Sequence, residues 1–251
     1  MPIDQQFVAL GLYLATFVIG SAAEMVRRAR RQPFSDRRLI VNFGLGLSGS
    51  LLASLPWISS CAGATFAEAQ VIGLFQIVDA PDLLVWLIAL LAMSFQSYWI
   101  HRGYHRFAWL WPIHRVHHSD EAVDLSTGFR GHPLEYIIDS LLASALVIAL
   151  GIAPSILLWV LLATQLPSLL SHANVALPDR LARPIERVLV TPRIHLRHHS
   201  SRRAEHDSNF GTSLSLWDRA FGTWSAELPM APLGLASSEN RHTRSSCAAS
   251  A

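Results

Sequence analysis

Positions 99–119 read "WIHRGYHRFAWLWPIHRVHHS", which sets five histidines within eighteen positions among tryptophans, arginines and aliphatic residues. His101 and His105 are four apart, so on a helix they share a face with Cβ atoms roughly 5–6 Å apart. His114, His117 and His118 stand at i, i+3 and i+4, again one helical face. The same H-x-x-H-H spacing returns far downstream in "RIHLRHHS" as His195, His198 and His199. A neutral imidazole offers a metal one lone pair at about 2 Å while its other nitrogen donates a hydrogen bond to a neighbour. One ion needs three or four such ligands, so eight histidines in three sets, with His132 and His172 in addition, form an inventory for two ions. The two cysteines, Cys61 and Cys247, lie far apart in unlike contexts, which argues against a disulfide framework and against a thiolate site. A nitrogen-only donor set suits iron, zinc or copper by ligand type. A histidine- and arginine-rich helix lying on lipid headgroups would explain the amphipathic character but leaves the repeated spacing without a cause.

The elements that position these side chains belong to a membrane. Of 251 residues, 51% are hydrophobic and only 15% charged, a balance poorly matched to a soluble globule. An apolar run over 7–26 is about the ~20 residues needed to cross a bilayer core. Its upstream flank carries Asp4 and no basic residue, with no small-residue cleavage pattern ahead of a soluble domain, so a retained helix is expected rather than a cleaved signal peptide. A second run, 39–57, is rich in glycine and serine, as membrane helices often are. A third, 83–100, follows "DAPD", where Asp79 or Asp82 can cap and Pro81 fits a first turn. The block 137–171 is too long for one crossing, and "GIAPS" at 151–155 divides it into a helical hairpin.

Charge supplies an orientation. All 20 basic residues are arginine, and Arg27, Arg28, Arg30, Arg31, Arg37 and Arg38 fall between the first two runs. The connection 58–70, the N-terminal segment and the "GIAPS" turn contain none. Five crossings then put every arginine and every histidine motif on one side, which the bias of basic loops makes the cytoplasm. A soluble helical bundle would not sort its arginines this way. The arginines edge apolar spans with no aromatic-stacking module beside them, so they suit anionic headgroups and not nucleic acid.

The motifs H-x-x-x-H at 101–105, H-x-x-H-H at 114–118, "GFRGHPLE" at 128–135, "SHANV" at 171–175 and H-x-x-H-H at 195–199, closed by "DSNFGTSLSLWDRAFGTW" at 207–224, resemble the fatty acid hydroxylase and sterol desaturase superfamily. The resemblance covers about 83–224 and is strongest to short bacterial members and the alkylglycerol monooxygenase branch. It implies an all-α integral membrane protein, with four to five membrane-embedded helices and a cytoplasmic helical cap around a di-iron site. It also implies use of O2 to hydroxylate or desaturate a lipid, whether fatty acyl, sterol-like or ether lipid. Carried over residue by residue, it implies metal ligation by His101, His105, His114, His117, His118, His195, His198 and His199, with His172 as the ninth ligand. Some relatives place a tenth histidine a few residues beyond, where this chain has Asn174 and Ala176. Either His132 fills that place, or Asn174 holds a bridging water; His132, beside Pro133 and Glu135, also stands as a structural residue. Glu135, Asn174 and Asp207 are expected to support the ligands from behind, Glu135 by anchoring an arginine or orienting a ligand histidine. His206 and His242 lack the spacing and are expected at the surface.

The resulting organisation is membrane helices over 1–82, a catalytic region over 83–226 and a mostly disordered, Ala/Ser-rich tail over 227–251. The chain carries no dinucleotide fingerprint, haem-attachment motif or iron–sulfur cysteine set, so electrons come from an external ferredoxin, cytochrome or flavin reductase. The arginines of 180–203 would receive an acidic partner or contact headgroups. The expected location is a bacterial inner membrane with the site facing the cytoplasm. A different class, a non-catalytic histidine-rich metal-binding or transport protein, would more naturally hold its ligands within the spans near the bilayer midplane, often with carboxylates.

Overall fold

Four runs of hydropathy become helices long and apolar enough to cross a membrane: Phe7–Val26 within α1 (Ile3–Val26), α5 (Asp82–Arg106), α7 (Pro133–Leu150) and α8 (Pro154–Ser171). At 1.5 Å per residue each is about 27 Å long or more, close to the hydrocarbon thickness of a bilayer. The computed structural model describes residues 3–32 and 35–236, so His242 and Cys247 lie outside the described residues. The regular elements among the described residues are all helical, and the chain is an integral membrane protein.

The run expected over 39–57 is instead α2 (Asp36–Ala53). It starts earlier because the Ser35 hydroxyl accepts the Arg38 N–H at its first turn, and it stops short of Pro56, which has no N–H to continue it. Asp36, Arg37 and Arg38 keep α2 from the apolarity of the other four, although Ile40, Leu47 and Leu51 on it are 61–71% exposed, as on a lipid-facing surface. The stretch 58–70, expected as an external connection, is largely helical: α3 (Ser60–Gln70) packs along α7, followed by the short α4 (Leu74–Ile77). α7 ends in a left-handed cap at Gly151 (φ 65°), and Pro154 opens α8. A Cβ on Gly73 would meet the Gly151 nitrogen at 2.3 Å, so this end of the bundle closes only with a glycine there.

At the opposite end, where α5 and α8 finish and α7 begins, the chain gathers its polar residues. Arg38 binds Asp120 and Asp124, each at 2.7 Å, and Arg30 donates to the Val123 carbonyl. The basic link between α1 and α2 therefore docks on the histidine-bearing side of the bundle, as the arginine pattern predicts. The tail expected from 227 is packed over its described portion: Ser201 N–H donates to the Pro232 carbonyl, Gly234 N–H donates to the His199 carbonyl, and Leu235 is buried. The remainder of that tail, 237–251, lies outside the described residues.

Candidate metal centre

Nine of the ten histidines singled out by spacing or resemblance converge. α5 brings His101 and His105 in its last turns, α6 (Trp111–His118) brings His114, His117 and His118, and His172 caps the C-terminus of α8. After the short α9 (Asp179–Ile185), α10 (Pro192–His198), with its C-cap, brings His195, His198 and His199. Their ring nitrogens form two groups, His101, His105, His114, His118 and His198 in one, His117, His172, His195 and His199 in the other, each spanning less than 4.8 Å. Each H-x-x-H-H motif straddles both: its i and i+4 rings serve one group and its i+3 ring crosses to the other. Thus α6 gives His114 and His118 to the five and His117 to the four, while α10 gives His195 and His199 to the four and His198 to the five.

Six of the nine rings are aimed by fixed acceptors, while Nδ1 of His118, His195 and His199 is buried without one. Nδ1 of His101 donates to the Phe210 carbonyl (2.7 Å), of His117 to the Arg130 carbonyl (2.9 Å), of His172 to the Ser168 carbonyl (2.9 Å) and of His198 to the Ser208 carbonyl (2.8 Å). Nδ1 of His114 donates to Glu135 Oε1 at 2.8 Å, and His105 Nδ1 lies 3.3 Å from Asp207 Oδ1. A neutral ring that spends its N–H on Nδ1 presents a bare lone pair at Nε2. His101 and His114 Nε2 face each other at 3.0 Å, and His117 and His172 Nε2 at 3.2 Å, so lone pairs confront lone pairs. Burial pushes His114 and His172 down to about 3 and His117 down to about 4, and drives His118, His195, His198 and His199 well below the ordinary histidine value. A bridging proton is thus disfavoured at neutral pH, and a cation between the rings is what relieves the repulsion. Nitrogens about 2.1 Å from one ion and at right angles to each other are about 3.0 Å apart, close to the 3.0–3.2 Å of the six Nε2 pairs here. His105 Nε2, buried without a partner, adds a further donor. The residues fit a pair of metal ions held by imidazole.

Residues 86–223, over half of the chain, match the fatty acid hydroxylase family. The chain belongs to that family. It is 35% identical over 150 residues to the alkylglycerol monooxygenase of Homo sapiens, covering 60% of this chain and 33% of that protein. It is 31% identical over 138 residues to the ornithine lipid hydroxylase OlsE of Rhizobium tropici, covering 55% and 41%. The alkylglycerol monooxygenase of Danio rerio matches at 29% over 198 residues, 78% of this chain and 43% of the relative. The chain therefore spans less than half the length of these relatives. No solved structure matches it.

In this member of the fatty acid hydroxylase family, the residues around the nine histidines divide as follows. Glu135 is at the site and orients His114, one of the two roles foreseen for it. Asp207 reaches His105 and is itself held by Arg203. Asn174 bonds the chain behind the site: its Oδ1 accepts the Arg30 N–H and its Nδ2 donates to the Arg30 carbonyl, tying the α1–α2 link to the end of α8. His132 joins neither group, because its Nδ1 accepts the Leu134 N–H as the N-cap of α7. His206, expected at the surface, is buried, with its ring stacked on Trp111 and its Nδ1 on the Ser200 carbonyl. Sequence reasoning missed Asp218, whose carboxylate accepts the N–H groups of Phe210 and Gly211 and the Thr223 hydroxyl, fixing the loop whose Phe210 carbonyl aims His101. A Cβ on Gly211 would meet the Leu214 carbonyl oxygen at 2.4 Å, so this turn demands glycine. The available signal was an acidic residue among the aromatic and aliphatic positions of "LSLWDRAFGTW". A cavity of about 320 Å³ between α5, α7 and α8 reaches His101, His114, His117, His172 and His195, so both groups border it.

Proposed function

We propose that this protein is a membrane-bound di-iron monooxygenase that hydroxylates a lipid using O2 and external electrons. The observation that carries this reading is the pair of buried all-imidazole groups bordering a cavity inside the membrane helices. The relatives named above are lipid-hydroxylating proteins by name, which favours hydroxylation over desaturation. His101, His105, His114, His118 and His198 would hold one iron, and His117, His172, His195 and His199 the other. Iron held there would supply O2 activation and cleavage of an unreactive C–H bond. The protein's part is positional. Backbone carbonyls and Glu135 fix the orientations of His101, His114, His117, His172 and His198, burial excludes bulk water, and neutral ligands leave the ions' positive charge undiminished. An apolar chain would lie on the bilayer side of α5 and α7, where Phe95, Trp99 and Leu142 wall an open groove next to the cavity. Electrons would come from a ferredoxin, cytochrome or flavin reductase, and the docking of the arginine-rich link on the histidine side supports a cytoplasmic site in a bacterial inner membrane.

The test is to supply membranes holding the native chain or His198→Ala with a compatible reductant under oxygen-18 gas and to compare whole-lipid mass spectra. A lipid gaining one labelled oxygen only with the native chain is expected, together with close to two irons per chain after anaerobic loading. An unlabelled loss of two hydrogens would make it a desaturase. Identical lipid profiles with an active reductase, across several lipid classes, would point to a metal-binding protein without catalysis.

A further inference from the structure

Of the acceptors that aim the six rings, Asp207 alone is exposed: its side chain is 37% open to solvent, with Oδ1 3.3 Å from His105 Nδ1. Beside it, α11 (Arg203–His206) lays the His206 ring on Trp111, with centroids 5.4 Å apart and planes 22° from parallel. The Trp111 ring is 5.2 Å from that of His105 and 5.5 Å from that of His118, and the His206 ring is 5.4 and 5.7 Å from the same two. Two aromatic rings outside the ligand set thus pack against the same two members of the group of five. Trp111 is only half-buried, so the pair reaches from the ligand rings to the surface. The group of four meets the packed tail instead, where Gly234 N–H donates to the His199 carbonyl.

The surface where this pair emerges is basic around an apolar tip. Arg202 and Arg203 are exposed, as is Arg106, which follows His105. Met230, 83% exposed, stands on the tail segment whose Met230 and Ala231 N–H groups donate to Glu205 of α11. The carboxylates here are already paired, Glu205 with Arg202, Asp207 with Arg203, and Glu227 of the tail with Arg197. A small apolar contact ringed by arginines suits a brief, charge-steered protein encounter of the kind that electron carriers make. The arginines of α9 differ: Arg180, Arg183 and Arg187 stand among exposed Leu181, Ile185 and Val188, which recur at i, i+4 and i+7 and suit a lipid surface. We propose that an acidic one-electron carrier protein docks on the Arg202–Arg203–Met230 face and that its electrons pass through the Trp111–His206 pair to the group of five. The proposal rests on the di-iron reading for its redox step. A monooxygenase turnover joins one oxygen atom of O2 to the substrate and sends the other to water, taking two electrons and two protons, so two reduced carriers are each oxidised once. Neither ring changes oxidation state; their contact with His105 and His118 shortens the gap that each electron crosses.

Docking is measured on zinc-loaded protein, which is redox-inert, so the measurement stands whether or not the di-iron reading does. The probe is a plant-type ferredoxin of strongly negative net charge, titrated at low salt. Arg202→Glu combined with Arg203→Glu should weaken binding at least about tenfold, whereas Arg180→Glu combined with Arg187→Glu, an equal change of charge, should weaken it less than about threefold. Electron entry is measured on oxidised, iron-loaded protein mixed anaerobically with reduced ferredoxin, as the loss of iron absorbance per loaded site relative to reduction by dithionite. Trp111→Leu and His206→Leu should each slow that reduction by at least an order of magnitude at unchanged ferredoxin affinity, and either serves if the other fails to load iron. Trp111→Phe, which keeps a ring in place, should retain most of the rate. Absence of ferredoxin binding, or equal weakening by both pairs of charge reversals, overturns the docking face. Native reduction rates in the leucine variants overturn the entry path. Ferredoxin binding to the zinc form that depends on Arg202 and Arg203, in a protein that loads no iron, would uphold the face and refute the di-iron reading alone.

Discussion

Replacing Glu135 by Gln should weaken one metal site and spare the other. Glu135 Oε1 accepts the His114 Nδ1 proton at 2.8 Å, with the two side chains 15% and 4% exposed, so the hydrogen bond is charge-assisted and nearly dry. A bond of that kind contributes about 1.5–3 kcal/mol, and losing a carboxylate behind a ligand histidine typically lowers metal affinity about 10–100-fold. His114 Nε2 lies 3.0 Å from that of His101 and 3.2 Å from that of His118, so its misorientation falls on the group of five. His117, His172, His195 and His199 make no hydrogen bond with Glu135 and should keep their metal within a few-fold. Titration of metal-free protein with zinc against a chromophoric chelator would resolve two affinities in the native chain. Glu135→Gln should shift one of them by about 10–100-fold, and iron loading under limiting metal should fall from two toward one. Equal weakening of both sites, or no change in either, would refute the assignment of Glu135 as the support of one site.

Three further outcomes are expected. His132→Ala should retain full metal loading yet lower stability by about 1 kcal/mol, because its ring caps α7; loss of metal, read by elemental analysis beside a thermal melt, would contradict the N-cap role. Asp218→Asn should destabilise the protein by about 1–3 kcal/mol and weaken metal binding, because an amide NH2 would face donors on Phe210, Gly211 and Thr223; unchanged melting would remove its role in fixing the loop behind His101. The metal-free protein should lose stability as pH falls below about 6.5. His114, His117 and His172 resist protonation when folded (to about 3, 4 and 3) whereas the unfolded chain takes up protons near 6.5, so stability is full above 6.5 and lost below it. Those three groups alone amount to on the order of 4 kcal/mol by pH 5.5, and a melting temperature flat from pH 7 to 5.5 would contradict their burial as neutral rings.

Residue type and spacing alone determined that this chain is helical and embedded in a membrane, that its histidines would share helical faces, and that arginines and histidines would lie on one side. These are properties of local period and of hydropathy, which a sequence carries directly. What the tertiary structure decided is the partition of the rings. His117 and His114 belong to one helical face, yet they serve different groups, because the packing sends the i+3 ring of each H-x-x-H-H motif to the group that holds the i and i+4 rings of the other. Side chains of fitting chemistry were reassigned for the same reason. His132 is taken by its own helix, Asn174 by the Arg30 backbone, and His206, without any motif, is buried on Trp111. The acceptors that aim the ligand rings are mostly backbone carbonyls, of Arg130, Ser168, Ser208 and Phe210, and a carbonyl is present at every residue. Which ones point at a histidine depends on where distant segments are packed, and that information exists only once the chain has folded.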